Sequence, residues 1–362
     1  MQSNKGIVCL SLFDGISCGR VALERANIPV EKYYASEVDK YAIQVSEKNY
    51  PDIIHIGDVR NINPDDYKDV DMIIGGSPCQ CFSFAGRRNG MTTTENVKVT
   101  SLEQYMSLKQ KYFQFKGQSY LFWEYVRILS AVHPKYFLLE NVVMAQEWND
   151  IISRTLGGIY PECFRQKEMF ESVRLEPIQI NSALVSAQNR ERLYWTNIPN
   201  ITQPKDRHIM LKDVLEENVN YKYILTKKEF NNIKNWKSQQ NPIIDAKTVD
   251  DEKMGCLTAR GAGEMHAGMK LIKYSVDREK SLTLTATYAN VIEKDYTINK
   301  NRQLVKCGAI DYQYWRKLTP IECERLQTLP NNYTDGISNS QRYRCIGNGW
   351  TVDVIAHIFS FI

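Results

Sequence analysis

The chain has 362 residues, 43% of them hydrophobic and 24% charged, and carries a formal net charge of +4, the balance of a soluble globular protein with one large domain or two. No run of eighteen apolar residues occurs and the start, MQSNKGIVCLSLFDG, lacks the features of a secretory signal, so no transmembrane helix or export is expected and the protein reads as intracellular. The mildly basic balance permits a nucleic-acid partner without demanding one. The first half alternates in period. GIVCLSLF (6–13), KYYASEV (32–38), DIIHIGDV (52–59), DMIIGG (71–76) and KYFLLENV (135–142) have strand length, and helical spacing recurs over 19–28, 39–50 and 119–132. This alternation argues for an α/β fold, a parallel sheet with helices on both faces, whose ligands lie at the carboxyl ends of the strands.

Residues 90–117 are polar and weakly patterned, and read as a long, mobile or partner-ordered excursion with a short helix at 101–112. From about 200 to 312 the chain is rich in Lys and Asn, and KMGCLTARGAG (253–263) is echoed by KSLTLTATYAN (280–290), as in a small β-rich or irregular domain. The helical pattern returns over 314–330, where Thr319, Pro320 and Glu322 make a good helix start, and the chain ends in GNGWTVDVIAHIFSFI (347–362), a glycine-rich turn feeding an apolar helix. The expected division is a large domain of 1–199 and 313–362, closed by both chain ends, with a small domain of 200–312 inserted.

Several strand ends carry chemistry. In SLFDGISCG (11–19), Gly15 allows backbone to approach a ligand and Gly19 lets the helix start close to the strand, but the dinucleotide pattern G-x-G-x-x-G is missing. Glu37, in ASEV, stands where an acidic residue holds ribose hydroxyls, and Asp58, in GDVR, stands where a carboxylate can accept from an adenine amine. These parts suit an adenosine ligand without a phosphate signature, and S-adenosylmethionine fits better than NAD. GGSPCQCFSFAG (75–86) places a reactive sulfur, Cys79, on a loop. Of the nine cysteines, the others read as small buried hydrophobes, and Cys79-x-Cys81 is a poor zinc spacing, so no metal is expected. LLENV (138–142) holds Glu140 and Asn141 at an apolar strand end, where a carboxyl tends to keep a proton it can donate. In SAQNRERLYW (186–195), Arg190 and Arg192 alternate and are expected on one face of an extended segment. Taken alone, such a pair is more often a solvated face.

The ordered set Phe13-Asp14-Gly15…Gly19, Glu37, Asp58, Pro78-Cys79-Gln80, Glu140-Asn141-Val142, Gln188-x-Arg190-x-Arg192, RKLTPIECERLQTLP and GNGWTVDVIAHI resembles the DNA cytosine-5 methyltransferase family. The resemblance covers nearly the whole chain apart from 200–312, the variable target-recognition region of that family. LSLFDGISCG, ASEVD, GDVRNI and GGSPC look like the animal de novo methyltransferases, whereas the length and the many lysines and asparagines look bacterial or phage-borne. The sequence departs from most of the family at Trp350, where a small residue is usual, and in the 90–118 enlargement of the catalytic loop.

The resemblance implies a Rossmann-like methyltransferase sheet with a small target-recognition domain. It implies transfer of a methyl group from S-adenosylmethionine, leaving S-adenosylhomocysteine, to carbon-5 of a flipped-out cytosine in a specific duplex DNA sequence. Cys79 would attack carbon-6, with Pro78 stiffening its loop. Glu140 would donate to ring nitrogen-3, Arg192 would hold the base oxygen and orient Glu140, Arg190 would support it, and Asn141 would fix the strand end. Phe13 would stack on the adenine within a loop of Asp14, Gly15, Ile16, Ser17 and Gly19. Glu37 and Val38 would meet the ribose, Asp58 and Val59 the adenine edge, and Asn348 and Trp350 the methionine end. Ser83, Arg87, Arg88 and Gln188 are expected at the DNA, and the recognised bases near 258–260 or 283–287. The resemblance leaves room for a companion restriction endonuclease, gives no membrane partner, and is read as a cytoplasmic monomer whose final helix is core. The long 200–312 region favours DNA over the RNA-directed branch of the family, and a non-catalytic DNA binder has no use for Cys79, Glu140 and Arg192 together.

Overall fold

The structure, a computed structural model, describes residues 6–79, 81–82, 90–161, 173–217, 219–223, 281–282, 304–307 and 314–362. The chain separates into two compact units, Met1–Asn181 with Glu191–Gln203 and Asp353–Ile362, and Ser182–Arg190 with Pro204–Val352. Residues 313–352, expected with the first domain, therefore group with the second unit.

The first unit runs through β1 (Ile7–Leu12), α1 (Cys18–Arg25), β2 (Val30–Ser36), α2 (Lys40–Asn49), β3 (Ile54–His55), β4 (Met72–Gly75), α3 (Leu102–Gln110), α4 (Phe122–Val132), β5 (Tyr136–Val142), α5 (Gln146–Ile159) and β6 (Ile178–Asn181). The chain then forms β7 (Gln188–Asn189) in the second unit and returns as β8 (Glu191–Thr196). The strands of the first unit form a seven-stranded sheet in the order β3-β2-β1-β4-β5-β8-β6. The strands from β3 to β5 are parallel, as the alternating sequence demands, but β8 pairs antiparallel with both β5 and β6. The reason is chain length: too few residues separate β6 from β8 for the crossover that a parallel partner requires. The central strands are mostly apolar because helices cover both faces, and Leu10, Leu12, Ile73 and Ile74 are fully buried.

Helix α4 buries Phe122, Trp123, Tyr125, Ile128 and Leu129 completely, with Phe122, Ile128 and Leu129 each contributing about 1.5–3 kcal/mol. Helix α5, which the sequence reading passed over, buries Trp148, Ile152 and Leu156 at a four-residue repeat. The last helix, α9 below, returns to this unit: Val354, Ile355 and Ile358 are fully buried, and Arg25 on α1 bonds Asp353 at 2.5 Å. The two ends of the chain thus meet in one unit, and the final helix is core.

The excursion at 90–118 is not a loose loop. Met91, Val99 and Tyr105 are buried in the main core, α3 is capped by Ser101 (Gln104 N–H to Oγ, 3.2 Å), and Phe115 stacks on Tyr120 at 4.1 Å. Its grip on α4 is ionic. Glu124, with no exposed surface, accepts from Tyr105 Oη (2.5 Å), Lys109 Nζ (2.5 Å) and Arg127 Nε (2.7 Å). The polar composition of the segment had hidden these few apolar anchors.

The second unit includes α6 (Leu211–Val214), β9 (Ser281–Leu282), β10 (Leu304–Cys307), β11 (Tyr314–Lys317), α7 (Pro320–Leu326) and α8 (Asn339–Asn348), with α9 (Val352–Phe359) starting at its end. Strand β7 pairs parallel with β9, and β10 antiparallel with β11. Helix α7 begins as its sequence predicts: Glu322 N–H bonds Thr319 Oγ1 at 3.2 Å and Thr319 N–H bonds Glu322 Oε2 at 2.7 Å. Leu318, Leu326, Ile346 and Ala187 form its core. The echoed segments 253–263 and 280–290 lie outside the described residues apart from Ser281–Leu282. Among the described residues, no helix is long and apolar enough to cross a membrane.

Removing the Glu124 carboxylate leaves the largely buried Arg127 guanidinium, and the half-buried Lys109 ammonium, without their partner. Glu124→Ala is expected to lose about 3 kcal/mol in urea unfolding and to expose the 90–118 segment to protease; wild-type stability would show that the ion pairs do not hold the excursion.

Candidate active site

Strands β4 and β5 are parallel, with Gly75 opposite Leu139, so both end on one side of the sheet. Gly75 has no alternative: a Cβ there would lie 2.8 Å from Leu12 O and 3.1 Å from the Tyr125 ring. The chain continues through Ser77 and Pro78 to Cys79. Asn141, almost fully buried, donates its amide to Ser77 O (3.2 Å) and Oγ (3.1 Å), and its own Oδ1 accepts from Val142 N–H (2.9 Å). Glu140 points to the other face of β5. Tyr194 lies opposite Glu140 and Arg192 opposite Val142, which makes Arg192 the diagonal neighbour of Glu140. Arg192 Nε meets Glu140 Oε1 at 2.9 Å, with both side chains close to nine-tenths buried. Among the described cysteines, Cys9, Cys18, Cys81, Cys323 and Cys345 are buried, and Cys79 is half-buried.

The ends of β1, β2 and β3 form a second cluster on the same sheet. Phe13 and Gly15 have positive φ (59° and 61°), and a Cβ on Gly15 would meet nothing within 4 Å. Gly15 N–H donates to Glu37 Oε2 (2.8 Å), while Glu37 Oε1 accepts from the amides of Val38 (2.7 Å) and Asp39 (2.8 Å). Val38 is 69% exposed, an apolar side chain beside an acidic one. Asp14 and Ser17 face inward: Asp14 accepts from Ser17 Oγ (2.5 Å) and Tyr33 Oη (2.8 Å), and burial raises its pKa despite these bonds. Ile16 and Gly19 are buried, Gly19 against Ile74 and Tyr33. Asp58 does not end a strand, because β3 stops at His55; instead it caps a short 3-10 turn in which Val59 is buried.

A family model for C-5 cytosine-specific DNA methylase matches residues 7–362. The chain belongs to that family. The methylase is 26% identical to the type II methyltransferase M1.ScrFI of Lactococcus lactis subsp. cremoris, over 96% of this chain and 75% of the relative. It is 27% identical to M.NlaX of Neisseria lactamica (96% and 94% covered) and 26% identical to the orphan methyltransferase M.SPRI of Bacillus phage SPR (97% and 96% covered). Among solved structures, its fold resembles Spodoptera frugiperda DNMT2 (TM-score 0.64, 18% identity, 98% and 99% covered) and S. pombe Dnmt2 (TM-score 0.61, 15% identity, 98% and 97% covered). The chain is a DNA cytosine-5 methyltransferase of the S-adenosylmethionine-dependent kind, with a Rossmann-like core and a smaller domain.

Other residues expected at the methylase site stand in the second unit. Gln188, expected at the DNA, is fully buried and donates its amide to Leu326 O (3.0 Å) and Gln327 Oε1 (3.1 Å). There it holds the end of α7. Arg190 falls between β7 and β8, not within one extended strand, and its buried guanidinium donates to Gly349 O (3.0 Å). Asn348 is exposed at the end of α8 and Trp350 is half-buried. Gln80, Ser83, Arg87 and Arg88 lie outside the described residues, as do 258–260 and 283–287.

Arg60 was missed, although it stands two residues from Asp58. Its Nε meets both Asp58 oxygens at 3.0 Å and its amide donates to Oδ1 at 2.9 Å. The guanidinium hydrogen bonds hold the Asp58 carboxyl below the usual carboxylate range, against the effect of its partial burial. A depressed folded value means stability that is present above the unfolded value of about 3.9 and lost as pH falls through the folded one. Arg60→Ala is expected to move the Asp58 carboxyl back toward about 3.9 in a carbon-detected NMR titration and to remove that acid-side stability loss. An unchanged titration would show that Arg60 does not control Asp58.

Proposed function

We propose that this methylase moves a methyl group from S-adenosylmethionine to carbon-5 of a cytosine flipped out of duplex DNA at a specific sequence, through a covalent bond to Cys79. The observation that carries the reading is the Glu140–Arg192 pair at 2.9 Å, on the strand whose Asn141 is bonded to the approach to Cys79.

The residues at the ends of β1 and β2 fit an adenosine. A carboxylate has about four acceptor sites, and Glu37 uses three on backbone amides, so one remains for a ribose hydroxyl. The open space at Gly15 and the exposed Val38 supply room and an apolar wall. Phe13 would face the adenine, and Asp58 and Val59 its edge. The bound cofactor supplies the methyl group.

Cytosine carbon-5 is too weak a nucleophile to accept a methyl group unaided. Cys79 Sγ adds to carbon-6, and the electrons of the carbon-5–carbon-6 double bond move to make an enamine nucleophilic at carbon-5. Glu140 donates a proton or a strong hydrogen bond to ring nitrogen-3 as that charge develops. Arg192 holds Glu140 and reaches the base oxygen, with charge-assisted hydrogen bonds stronger than neutral ones. After methylation, loss of the carbon-5 proton restores the double bond and expels Cys79 as thiolate. A base stacked in the duplex is out of reach, so it must be extruded at a cost of a few kcal/mol.

The test is incubation with tritium-labelled S-adenosylmethionine and unmethylated duplex DNA, with a tRNA control. Label is expected in DNA as 5-methylcytosine, and bisulfite sequencing of the product then reads the target. Cys79→Ser is expected to abolish transfer. Glu140→Gln is expected to slow turnover between about a hundredfold and ten-thousandfold with DNA binding kept. Label in tRNA instead, or undiminished transfer by Cys79→Ser, would overturn the proposal.

A further inference from the structure

Beside Asn141, which bonds Ser77 at the start of the loop that carries Cys79, a second side chain from outside grips the loop on both sides of the cysteine. Ser119 follows the 90–118 excursion, just before α4, and is fully buried. Its hydroxyl donates to the carbonyl of Pro78 at 2.8 Å and accepts the amide of Cys81 at 3.2 Å. One oxygen therefore spans the nucleophile, engaging the peptide group before Cys79 and an amide two residues after it. The Cys79 carbonyl is occupied by the amide of Phe82 at 2.9 Å, which closes a tight turn. Cys81 adds a second grip: its thiol donates to Lys116 O at 3.2 Å, and its carbonyl accepts from Gly90 N–H at 2.9 Å. This approach is close enough that a Cβ on Gly117 would lie 2.5 Å from Cys81 Sγ.

A hydroxyl is suited to this bridge because it donates and accepts at one atom. Alanine would leave a carbonyl and an amide without their buried partner, and the loop would turn to find others. With the backbone held on both sides of Cys79, the direction of its Cα–Cβ bond is held too. We infer that Ser119 is a positioning residue for the attack on cytosine: its hydroxyl holds the Pro78 carbonyl before Cys79 and the Cys81 amide after it, and so aims Sγ at carbon-6. This rests on the reading of Cys79 as the nucleophile. Reacting atoms misplaced by about 1 Å cost a rate of order a hundredfold, so a small rotation of the loop suffices to matter.

The readout is formation of the covalent adduct, using duplex DNA synthesised with 5-fluorodeoxycytidine in place of deoxycytidine. Fluorine at carbon-5 cannot leave as the proton does, so the methylated adduct persists and is counted on a denaturing gel. Rates are normalised to folded sites by cofactor binding. Ser119→Ala and Ser119→Gly are expected to slow adduct formation between about tenfold and a hundredfold, with the affinity for S-adenosylmethionine within about twofold of wild type. Ser119→Thr, which keeps the hydroxyl, is expected to recover most of the rate. Ser153→Ala removes another buried hydroxyl, the partner of Trp195 Nε1 at 2.9 Å, and is expected to lower the melting temperature without slowing the adduct.

A wild-type adduct rate in Ser119→Ala or Ser119→Gly, beside a silent Cys79→Ser, overturns this inference and leaves the nucleophile standing. An adduct in Cys79→Ser overturns both. Should neither hydroxyl-free variant fold, Ser119→Thr decides: a rate within about threefold of wild type supports the inference and a larger loss overturns it.

Discussion

The amide of Asn141 joins the ends of two neighbouring strands through Ser77, and the site depends on that junction. Parallel strands end on the same side of a sheet, so β4 and β5 deliver Cys79 and Glu140 to one edge. Parallel pairing alone leaves the loops beyond the strands free to diverge. The two hydrogen bonds from a buried amide prevent this, because breaking them leaves polar groups without partners in a dry interior. Glu140, next to Asn141, points to the opposite face and meets Arg192. That meeting requires β8 to be antiparallel. Reversing the direction of β8 brings the start of that strand beside the end of β5, and Arg192 is near its start.

One helix supports two of the segments to which the proposed function gives roles. Helix α4 starts three residues after Ser119, whose hydroxyl bridges the Cys79 loop. Further along it, Arg127 donates to Val59 O at 3.3 Å, and Glu124 holds Lys109, which reaches Arg60 O at 3.5 Å. The turn carrying Asp58 and Val59 and the loop carrying Cys79 are therefore braced against the same buried rod. A methyl transfer needs donor and acceptor aligned within a fraction of an ångström, and a shared rigid support is a direct way to keep that alignment.

Legibility in the sequence followed the range of the interactions. Strands β1, β4 and β5 carry runs of apolar residues with glycine or acidic residues at or near their ends and form within a residue or two of the expected bounds, while β2, more polar at its start, begins two residues earlier than expected. The Thr319–Glu322 capping box is a four-residue signal and is equally plain. Helix α5 was missed although Trp148, Ile152 and Leu156 carry a helical repeat, because charged and small residues dilute it. The short helix expected at 101–112 forms at Leu102–Gln110, but the excursion was misread as loose because its anchors, Met91, Val99 and Tyr105, are widely spaced and become apolar core only when α4 lies beneath them. Gln188, the first residue of the Gln188-x-Arg190-x-Arg192 motif, gives no local sign of its burial, because its contact with Leu326 depends on a segment more than a hundred residues away.

The sequence by itself determined the alternation of strands and helices, the glycine turn after β1, the thiol after β4 and the carboxyl at the end of β5, since each of these is written in a few consecutive residues. Only the tertiary structure decided that β8 runs antiparallel and brings Arg192 to Glu140, that Arg60 engages Asp58 with its side chain, and that Ser119 spans Cys79. Those facts depend on strand order and on the close approach of distant segments. Local propensity sets the dihedral angles of neighbouring residues, whereas which distant groups share a hydrogen bond is settled by how the whole core closes.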